Sequence, residues 1–241
     1  MATIETETRR AVRAFWRRRS AQADAQRHRG ARDAGARGSV TGGKQMDGFV
    51  DLFASLAMRC GMPAGSVFRT KADLPLPGFF RATKEWDLVI VHKAQFVAAL
   101  ELKSQVGSFG NNFNNRTEEA MGSALDLWTC YREGGLPAAN QPFLGWFMLL
   151  EDAPGSQRPL RVQEPHFLVL SEFYDTSYAD RYVLFCKKLT LERHYTATCL
   201  ALTSRASIRS GAYKEPDESL SIRRFAAAYA EHVRASLAIL G

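Results

Sequence analysis

The stretch WDLVIVHKAQFVAALELK, residues 86–103, decides the fold of this chain. It contains two apolar runs, 86–92 and 96–103, joined by the short connection KAQ. Runs of this length and composition are typical of β-strands, and so short a connection predicts an antiparallel hairpin. The other elements are expected to assemble around this hairpin.

The second strand of the predicted hairpin carries the charged residues of interest. Successive side chains on a strand point to opposite faces, so Glu101 and Lys103 share one face with the small residue Ala99. A simple hairpin centred on Ala94 places Asp87 directly opposite Glu101 on that face, with the two Cα atoms about 4.5–5.5 Å apart. The sequence therefore predicts a cluster of two acids and one lysine.

This cluster has the composition of a site that hydrolyses phosphodiesters. Two carboxylates so close repel each other, and a divalent cation removes that repulsion. Magnesium accepts one or two carboxylates and completes its shell with phosphate and water. Bound magnesium polarises a phosphoryl oxygen and lowers the pKa of a water, and Lys103 could orient that water or stabilise charge on the phosphate.

The same residues could also have a purely structural role. Glu-x-Lys is a short pattern that chance alone produces about once in a chain of this length, and here it occurs once, at 101–103. The three charges could form only a surface salt bridge on a half-exposed sheet. Their position on a strand, with Asp87 aligned across the hairpin, favours the catalytic interpretation.

The rest of the chain predicts an α/β fold in which a mixed sheet with an antiparallel hairpin is flanked by helices. The apolar run FLGWFMLL at 143–150 predicts a strand buried on both faces. Residues 104–116 are polar and rich in Gly and Asn, and predict a loop that ends where Asn115 caps a helix. The further predicted elements are helices at 4–26, 49–60, 117–133, 177–193 and 219–239 and a strand at 166–171.

The positive charge is concentrated at the N-terminus. The formal net charge is +7, and residues 1–48 hold 11 Lys or Arg against 5 Asp or Glu. We interpret 1–48 as a basic helix and Gly-rich loop within the same domain as 49–241. A localised positive surface suits a polyanion such as nucleic acid, although it could equally be a solubilising arm. Arg10, Arg13 and Arg17 share one helix face, and Lys44 follows two glycines that could grip DNA phosphate.

Composition excludes several other classes of protein. The 241 residues are 46% hydrophobic and 24% charged, which is typical of a globular domain. No apolar run reaches the 18 or so residues of a membrane span, and the first residues do not resemble a secretion signal. The four cysteines show no metal-binding spacing, so we expect reduced thiols in a cytoplasmic protein.

Two motifs of increasing specificity resemble known nucleases. Asp87, together with the strand that ends in Glu101-Leu102-Lys103, resembles the PD-(D/E)xK nuclease signature, with Trp86 where that pattern often has Pro. The stretch KEWDLVIVHKAQFVAALELKSQVGSFGNNFNNRTEEAMGSALDLW, 84–128, closely resembles the XhoI-type family of restriction endonucleases. Its segment ELKSQVGSFGNNFNNR is much more specific than Glu-x-Lys, and the similarity extends along most of the chain.

The resemblance implies a homodimeric, magnesium-dependent type II restriction endonuclease of a prokaryotic restriction–modification system, with a restriction-endonuclease-like core. The target implied is the palindrome CTCGAG in double-stranded DNA, cut after the first C to leave four-base 5′ overhangs. Asp87 and Glu101 inherit the role of metal ligands, and Lys103 that of the catalytic lysine. A DNA methyltransferase is implied as a genetic partner, without a stable complex.

The segment after the catalytic strand is a candidate for reading DNA. Asn111, Asn112 and Asn114 offer paired donors and acceptors that suit adenine edges, and Arg116 could contact phosphate or guanine. The alternative is that the asparagines serve turns. Because a double-strand cut in a palindrome needs two catalytic faces, a two-fold dimer is expected, with its apolar contact on the 4–26 or the 219–239 helix.

Two rival functions remain compatible with these residues. A repair or junction-resolving nuclease could share the same fold and the same catalytic cluster. A non-catalytic basic DNA-binding protein could carry the Glu-x-Lys pattern only as a salt bridge. Cleavage of a plasmid with and without magnesium separates the three possibilities.

Overall fold

The computed structural model describes residues 3–28 and 43–241. The α-helices are α1 (Ile4–His28), α2 (Asp47–Arg59), α3 (Phe109–Arg132), α4 (Pro154–Gln157), α5 (Tyr178–Leu191) and α6 (Ile222–Leu240). The strands are β1 (Val67–Phe68), β2 (Pro75–Pro77), β3 (Thr83–Glu85), β4 (Leu88–His92), β5 (Gln95–Gln105), β6 (Phe143–Glu151) and β7 (Ala197–Thr203). Most of the predicted Gly-rich segment, 29–42, lies outside the described residues.

Five of these strands form one mixed sheet in the order β1-β4-β5-β6-β7. The pairs β1–β4 and β4–β5 are antiparallel, whereas β5–β6 and β6–β7 are parallel. The short strands β2 and β3 form a separate antiparallel hairpin. The predicted mixed sheet with an antiparallel hairpin and flanking helices is therefore confirmed.

Helices cover both faces of the sheet. The helices α3 and α5 connect parallel strands, and right-handed crossovers that progress in one direction place both helices on the same face. The opposite face is covered by α1, α2 and α6, which share one apolar cluster with that side of the sheet. The strand β6 is buried on both faces, as its unbroken apolar run predicted.

The turn of the central hairpin differs from the predicted one. It consists of two residues, Lys93 and Ala94, which both adopt left-handed backbone conformations with φ of 49° and 60°. This combination is typical of a type I′ turn, whose twist matches that of the two strands. The predicted three-residue connection centred on Ala94 is therefore wrong.

The predicted pairing beside Asp87 is nevertheless confirmed. The register shifts by one residue between Ile90 and Val91, a β-bulge that offsets the shorter turn. Beyond the bulge Leu88 pairs with Leu100, and the Asp87 N–H donates to the Leu100 carbonyl at 3.1 Å. The next residues along the two strands are Asp87 and Glu101, which therefore lie near each other, as expected.

Two predicted elements differ in the structure. The helix after the catalytic strand begins at Phe109 instead of 117, because Gly107 and Ser108 make the turn with positive φ and aromatic contacts hold the first turns in place. The predicted strand at 166–171 is wrong: the segment has no neighbouring strand, and Phe167 is 88% exposed. The strand β7 was missed, although Ala197–Thr203 is almost entirely buried.

Further expectations concern the thiols and the membrane. All four cysteines are free, and three of them are buried, as expected for reduced thiols. Among the helices of the described ranges, none has the length and apolar character that crossing a bilayer requires.

The aromatic centre of the core provides a test of this packing. Phe147 on β6 is fully buried, and its ring lies 4.8 Å from Phe49, 5.8 Å from Phe53 and 6.4 Å from Phe225, measured between centroids. We expect Phe147→Ala to lower the free energy of unfolding by about 3–5 kcal/mol in urea denaturation. The control Leu191→Ala, at a side chain that is 76% exposed, should change it by less than about 0.5 kcal/mol. Equal effects of the two substitutions would contradict the packing.

Candidate active site

The structure brings the three predicted catalytic residues together. Asp87 directly precedes β4, and Glu101 and Lys103 lie on β5. The backbone N–H of Leu102 donates to Asp87 Oδ2 at 2.7 Å, which fixes the orientation of that carboxylate. Lys103 Nζ lies 2.7 Å from Glu101 Oε1. Glu101 and Lys103 point to the same face of β5 as Ala99, because every second side chain of a strand shares a face. Ala99 packs into the apolar cluster below α3 and α5, so the catalytic side chains lie on the α3 side of the sheet.

Glu101 is a buried carboxylate with an uneven set of partners. Only 2% of the surface of Glu101 is exposed to solvent. Oε1 is contacted by two ammonium groups, Lys103 Nζ at 2.7 Å and Lys84 Nζ at 3.0 Å. Oε2 is buried and has no hydrogen-bond partner among the described residues. Burying a charged oxygen without a partner is costly, so this atom is the place where a ligand would gain the most.

The ionisation of the cluster follows from burial and from its own charges. Burial alone would raise the pKa of Glu101, but the charges of Lys103 and Lys84 outweigh it and lower that pKa. Burial raises the pKa of Asp87, only partly opposed by Lys103. Burial would lower the pKa of Lys103, but Glu101 and Asp87 raise it. The arrangement keeps Glu101 ionised and Lys103 charged.

Lys84 is the residue of this site that the sequence did not indicate. Its side chain is 12% exposed, and its ammonium lies 4.4 Å from the centroid of the Trp86 ring as well as beside Glu101. Lys84 belongs to the three-residue strand β3, which has no clear periodicity. In the sequence, Lys84 is marked only by its position three residues before Asp87. That spacing is not specific for any kind of site.

The β2–β3 hairpin that carries Lys84 is held against α3 by one carboxylate. Asp126 accepts hydrogen bonds from the N–H groups of Phe79 at 2.8 Å and Phe80 at 2.7 Å, and from Arg81 Nε at 2.7 Å. Burial would raise the pKa of Asp126, but these bonds outweigh it and lower the pKa. A Cβ on Gly78 would lie 2.5 Å from Asp126 Oδ2, so only glycine allows this approach. The hairpin thereby fixes the position of Lys84.

The predicted DNA-reading residues lie in the first turns of α3, and not in a loop. Asn111 and Asn114 are exposed, and Asn112 is half-buried. Arg116 pairs with Glu119, and its Nε is buried without a partner among the described residues. The positive charge of Arg116 lowers the pKa of Lys103, because two cations repel each other.

The anchor of this helix explains why the loop prediction failed. The ring centroid of Phe113 lies 4.9 Å from that of Tyr182, and Phe109 stacks on Tyr178 at 6.2 Å. These contacts to α5 stabilise helical turns whose asparagines favour turns by local propensity. Asn115, predicted to cap a helix, lies inside α3.

The basic N-terminal residues lie away from this cluster. The apolar side of α1 packs on the sheet face opposite to Glu101 and Lys103. On α1, Arg10 and Arg17 are exposed, and Arg13 donates to the Ser210 carbonyl at 3.4 Å. Lys44 lies in the 3₁₀ helix Gly43–Met46, and its side chain is outside the described part of the structure.

The donors at this site fit a hard divalent cation. Asp87 and Glu101 supply carboxylate oxygens from opposite strands, and Glu101 Oε2 is buried without a partner in the described ranges. Magnesium takes one or two carboxylates and completes its shell with water and phosphate. In the same ranges, no group of three or more His, Cys, Asp or Glu is arranged to hold a metal ion.

Comparison with known proteins shows the family of this chain. A family model described as restriction endonuclease XhoI matches residues 25–215, which include the hairpin, α3 and all the parallel strands. The chain belongs to the XhoI family of restriction endonucleases. No solved structure matches it.

Three relatives in this family are type II restriction enzymes by name. BstVI of Geobacillus stearothermophilus is 47% identical over 215 residues, 87% of this chain and 96% of the relative. XhoI of Xanthomonas vasicola is 43% identical over 196 residues, 80% and 77% of the two chains. AbrI of Azospirillum brasilense is 47% identical over 168 residues, 69% and 75%. Asp87, Glu101 and Lys103 all lie within the span of the XhoI family match.

The two-lysine arrangement on Glu101 provides a second test. Lys84→Met removes one of the two cations from a buried carboxylate, and charge-assisted hydrogen bonds contribute about 1.5–3 kcal/mol each. We expect a loss of that size in the free energy of unfolding at neutral pH. In a Glu101→Gln background the same substitution should cost far less, which a double-mutant cycle in urea measures directly.

The matched control is Lys71→Met. Lys71 is 85% exposed and lies 4.0 Å from Glu85, so its removal should change stability by less than about 0.5 kcal/mol. A Lys84→Met cost that is the same with Glu101 and with Gln at that position would contradict the pairing.

Proposed function

We propose that this chain is a type II restriction endonuclease that hydrolyses phosphodiester bonds in double-stranded DNA. Its core would be restriction-endonuclease-like, with Asp87, Glu101 and Lys103 as the active residues. The observation that carries the proposal is Glu101, a buried carboxylate close to Asp87, with one oxygen on two lysines and the other without a partner among the described residues. A purely structural salt bridge would leave no buried oxygen free.

Magnesium would be held by Asp87 and by Glu101 Oε2. When bound, it would withdraw charge from a phosphoryl oxygen and make a nearby water more acidic. The Leu102 N–H keeps one oxygen of Asp87 occupied and so orients the other oxygen of that carboxylate. The two carboxylates thus provide a small, rigid donor set, which is the kind of site that magnesium accepts.

The two lysines have separate tasks in this proposal. Lys103 points its ammonium into the cluster and would donate to the scissile phosphate or hold the attacking water. While Lys103 contacts the phosphate or the water, Lys84 stays paired with Glu101 Oε1 and keeps that carboxylate ionised and oriented. Both lysines are needed, because a buried carboxylate that lost its only cation would become costly at the moment of reaction.

The N-terminal turns of α3 would contact the DNA beside this cluster. Asn111, Asn112 and Asn114 would reach base edges, and Arg116 would reach phosphate or guanine. Support comes from the exposure of Asn111 and Asn114 and from the charge of Arg116, which lowers the pKa of Lys103. The N-terminus of a helix also attracts phosphate through its free N–H groups.

The basic N-terminal region would add contacts of a different kind. Arg10, Arg13 and Arg17 lie on the far side of the sheet from Lys103, so they cannot reach the same phosphate. In the proposal they bind DNA phosphates without regard to sequence, as would Lys44.

The target proposed is the palindrome CTCGAG, cut after the first C to leave four-base 5′ overhangs. It rests on the sequence resemblance and on the 43% identity to the enzyme named XhoI. Cutting both strands of a palindrome requires two catalytic clusters, so a two-fold homodimer is proposed. A methyltransferase that modifies the same site would protect the host genome.

The deciding experiment is digestion of a plasmid that carries a single CTCGAG, with and without magnesium. Linear product only with magnesium supports the proposal, and sequencing of its ends gives the cut position. Nicks restricted to branched DNA would instead indicate a junction-resolving nuclease. Binding without any cutting would indicate a DNA-binding protein that lacks catalysis.

The role of Lys103 leads to a third prediction. Lys103→Ala should lower the cleavage rate at least about a hundredfold, because this group acts in the transition state. Specific binding of CTCGAG DNA, measured by gel shift in calcium, should remain within a few-fold. The control Lys214→Ala, at a lysine 75% exposed and paired with Asp152, should cut normally. A Lys103→Ala variant that cuts at the normal rate would refute the assignment.

The metal site leads to a fourth prediction. Magnesium or manganese should support cutting, whereas calcium should support specific binding with little hydrolysis, because it holds its ligands more loosely. Asp87→Ala should abolish cutting and should also weaken manganese binding in calorimetry without DNA. Undiminished cutting in excess EDTA, or unchanged manganese binding by Asp87→Ala, would contradict the metal role.

A further inference from the structure

A strongly apolar loop protrudes from the surface between α4 and α5. We call residues 164–174 the 164–174 loop. Phe167 is 88% exposed, Leu168 83% and Leu170 62%. The backbone N–H groups of Phe167 and Leu168 donate to no other group in the described residues. A contiguous exposed apolar patch of several hundred Å² is often functional, so this loop is a candidate interaction surface.

The 164–174 loop is held in shape by its own contacts. The Glu164 carboxylate accepts hydrogen bonds from the Val169 N–H at 2.8 Å and from the Tyr174 hydroxyl. At the base of the loop, the Leu160 N–H donates to the Thr176 carbonyl at 2.9 Å. The apolar tip is therefore presented outward by an ordered frame, which reduces the entropy that a partner must remove on binding.

The charges around the loop disfavour DNA as its partner. From 162 to 175 the chain has three acids, Glu164, Glu172 and Asp175, and no Lys or Arg. A surface that binds DNA phosphates needs the opposite sign. Glu172 is paired with Lys188, and Glu164 accepts hydrogen bonds from within the loop, so neither carboxylate is left unpaired to repel its counterpart across a two-fold contact. An apolar tip of this kind instead suits a protein surface.

The area of the tip is compatible with a dimer contact. At about 150–250 Å² for a large side chain, the outward parts of Phe167, Leu168, Leu170 and Tyr174 amount to roughly 500 Å². A standard interface buries about 800 Å² on each partner, so the tip would supply most of one.

The apolar faces of α1 and α6, the helices expected to form the dimer contact, are buried inside this chain. On α1, Val12 and Phe15 are buried in the cluster shared with the sheet, and on α6 the same holds for Phe225, Tyr229 and Val233. Neither apolar stripe is free to meet a second copy. In the part of the chain that the structure describes, the tip of the 164–174 loop remains exposed at Phe167 and Leu168.

We propose that the 164–174 loop is the contact through which two copies of this chain associate, with Phe167 and Leu168 at its centre. This rests on the proposed function, in which two catalytic clusters cut the two strands of one palindrome. The loop leads into α5, whose first residue, Tyr178, stacks on Phe109 directly after the catalytic strand. The loop thus lies at the end of the sheet where the catalytic strand ends, and a two-fold contact there would keep both catalytic clusters within reach of one DNA site.

The test compares two leucines that differ only in position. Leu168→Asp places a charge at the centre of the proposed contact, and a two-fold interface contains that charge twice. Leu191→Asp makes the same change at a leucine 76% exposed at the end of α5. Sedimentation of the free proteins over a range of concentrations should give a dimer for the wild type and for Leu191→Asp. For Leu168→Asp we expect association at least roughly thirtyfold weaker, as at an interface hot spot.

The same measurements can overturn the proposal. Far-UV circular dichroism spectra should be the same for all three proteins, which shows that each is folded, and Phe167→Asp repeats the test at the neighbouring position. A Leu168→Asp protein as dimeric as the wild type, or a wild type that is monomeric both free and on CTCGAG DNA in calcium, refutes the contact. Loss of DNA binding by a Leu168→Asp protein that stays dimeric would assign the loop to DNA and refutes it as well.

The proposal can fail separately from the function on which it rests. Where the free wild type is dimeric, mass measurements without DNA decide the contact even if the wild type cuts no plasmid. If the wild type does cut, Leu168→Asp should produce nicked circles where the wild type produces linear product, because each strand is then cut in a separate encounter.

Discussion

The charge of Glu101, buried at the centre of the sheet, is the constraint on which the site depends. A carboxylate removed from water requires cations or hydrogen-bond donors close by, and here two ammonium groups serve that need on one oxygen. The placement of Lys84, and with it the β2–β3 hairpin, follows from this requirement. The second oxygen has no partner among the described residues, and this leaves a strong acceptor of the site available to a ligand.

The hairpin and its acids could be predicted from the sequence because they depend on local rules. The alternation of side chains along a strand fixes which residues share a face, and the pairing of Asp87 with Glu101 follows from closure of the hairpin. The register was confirmed as far as Leu88, which pairs with Leu100, although its derivation contained an error. The turn is one residue shorter than expected, and a bulge between Ile90 and Val91 restores the register. Neither feature has a sequence signal, because Lys93 and Ala94 are unusual residues for a left-handed turn.

What could not be predicted depends on contacts between distant parts of the chain. Lys84 reaches Glu101 because Asp126, on α3, holds the β2–β3 hairpin in place. The start of α3 is set by the aromatic contacts of Phe109 and Phe113 with α5, which override the turn preference of the asparagines. The charge count likewise revealed a basic N-terminus, but could not indicate that α1 lies on the sheet face opposite to the cluster. The roles of the residues in DNA binding and catalysis remain predictions.

The strand pairings also imply an order in which the active site is assembled during folding. Leu88 meets Leu100 across a two-residue turn, whereas Ala98 must find Phe143, and Gly145 must find Ala197. Contacts between neighbours in sequence close small loops and form quickly, and parallel pairs across a helix close large ones and form later. We therefore expect Asp87 and Glu101 to be brought opposite each other early, while water still surrounds them. The layers that bury Glu101 would then close around a pair of acids that is already in register.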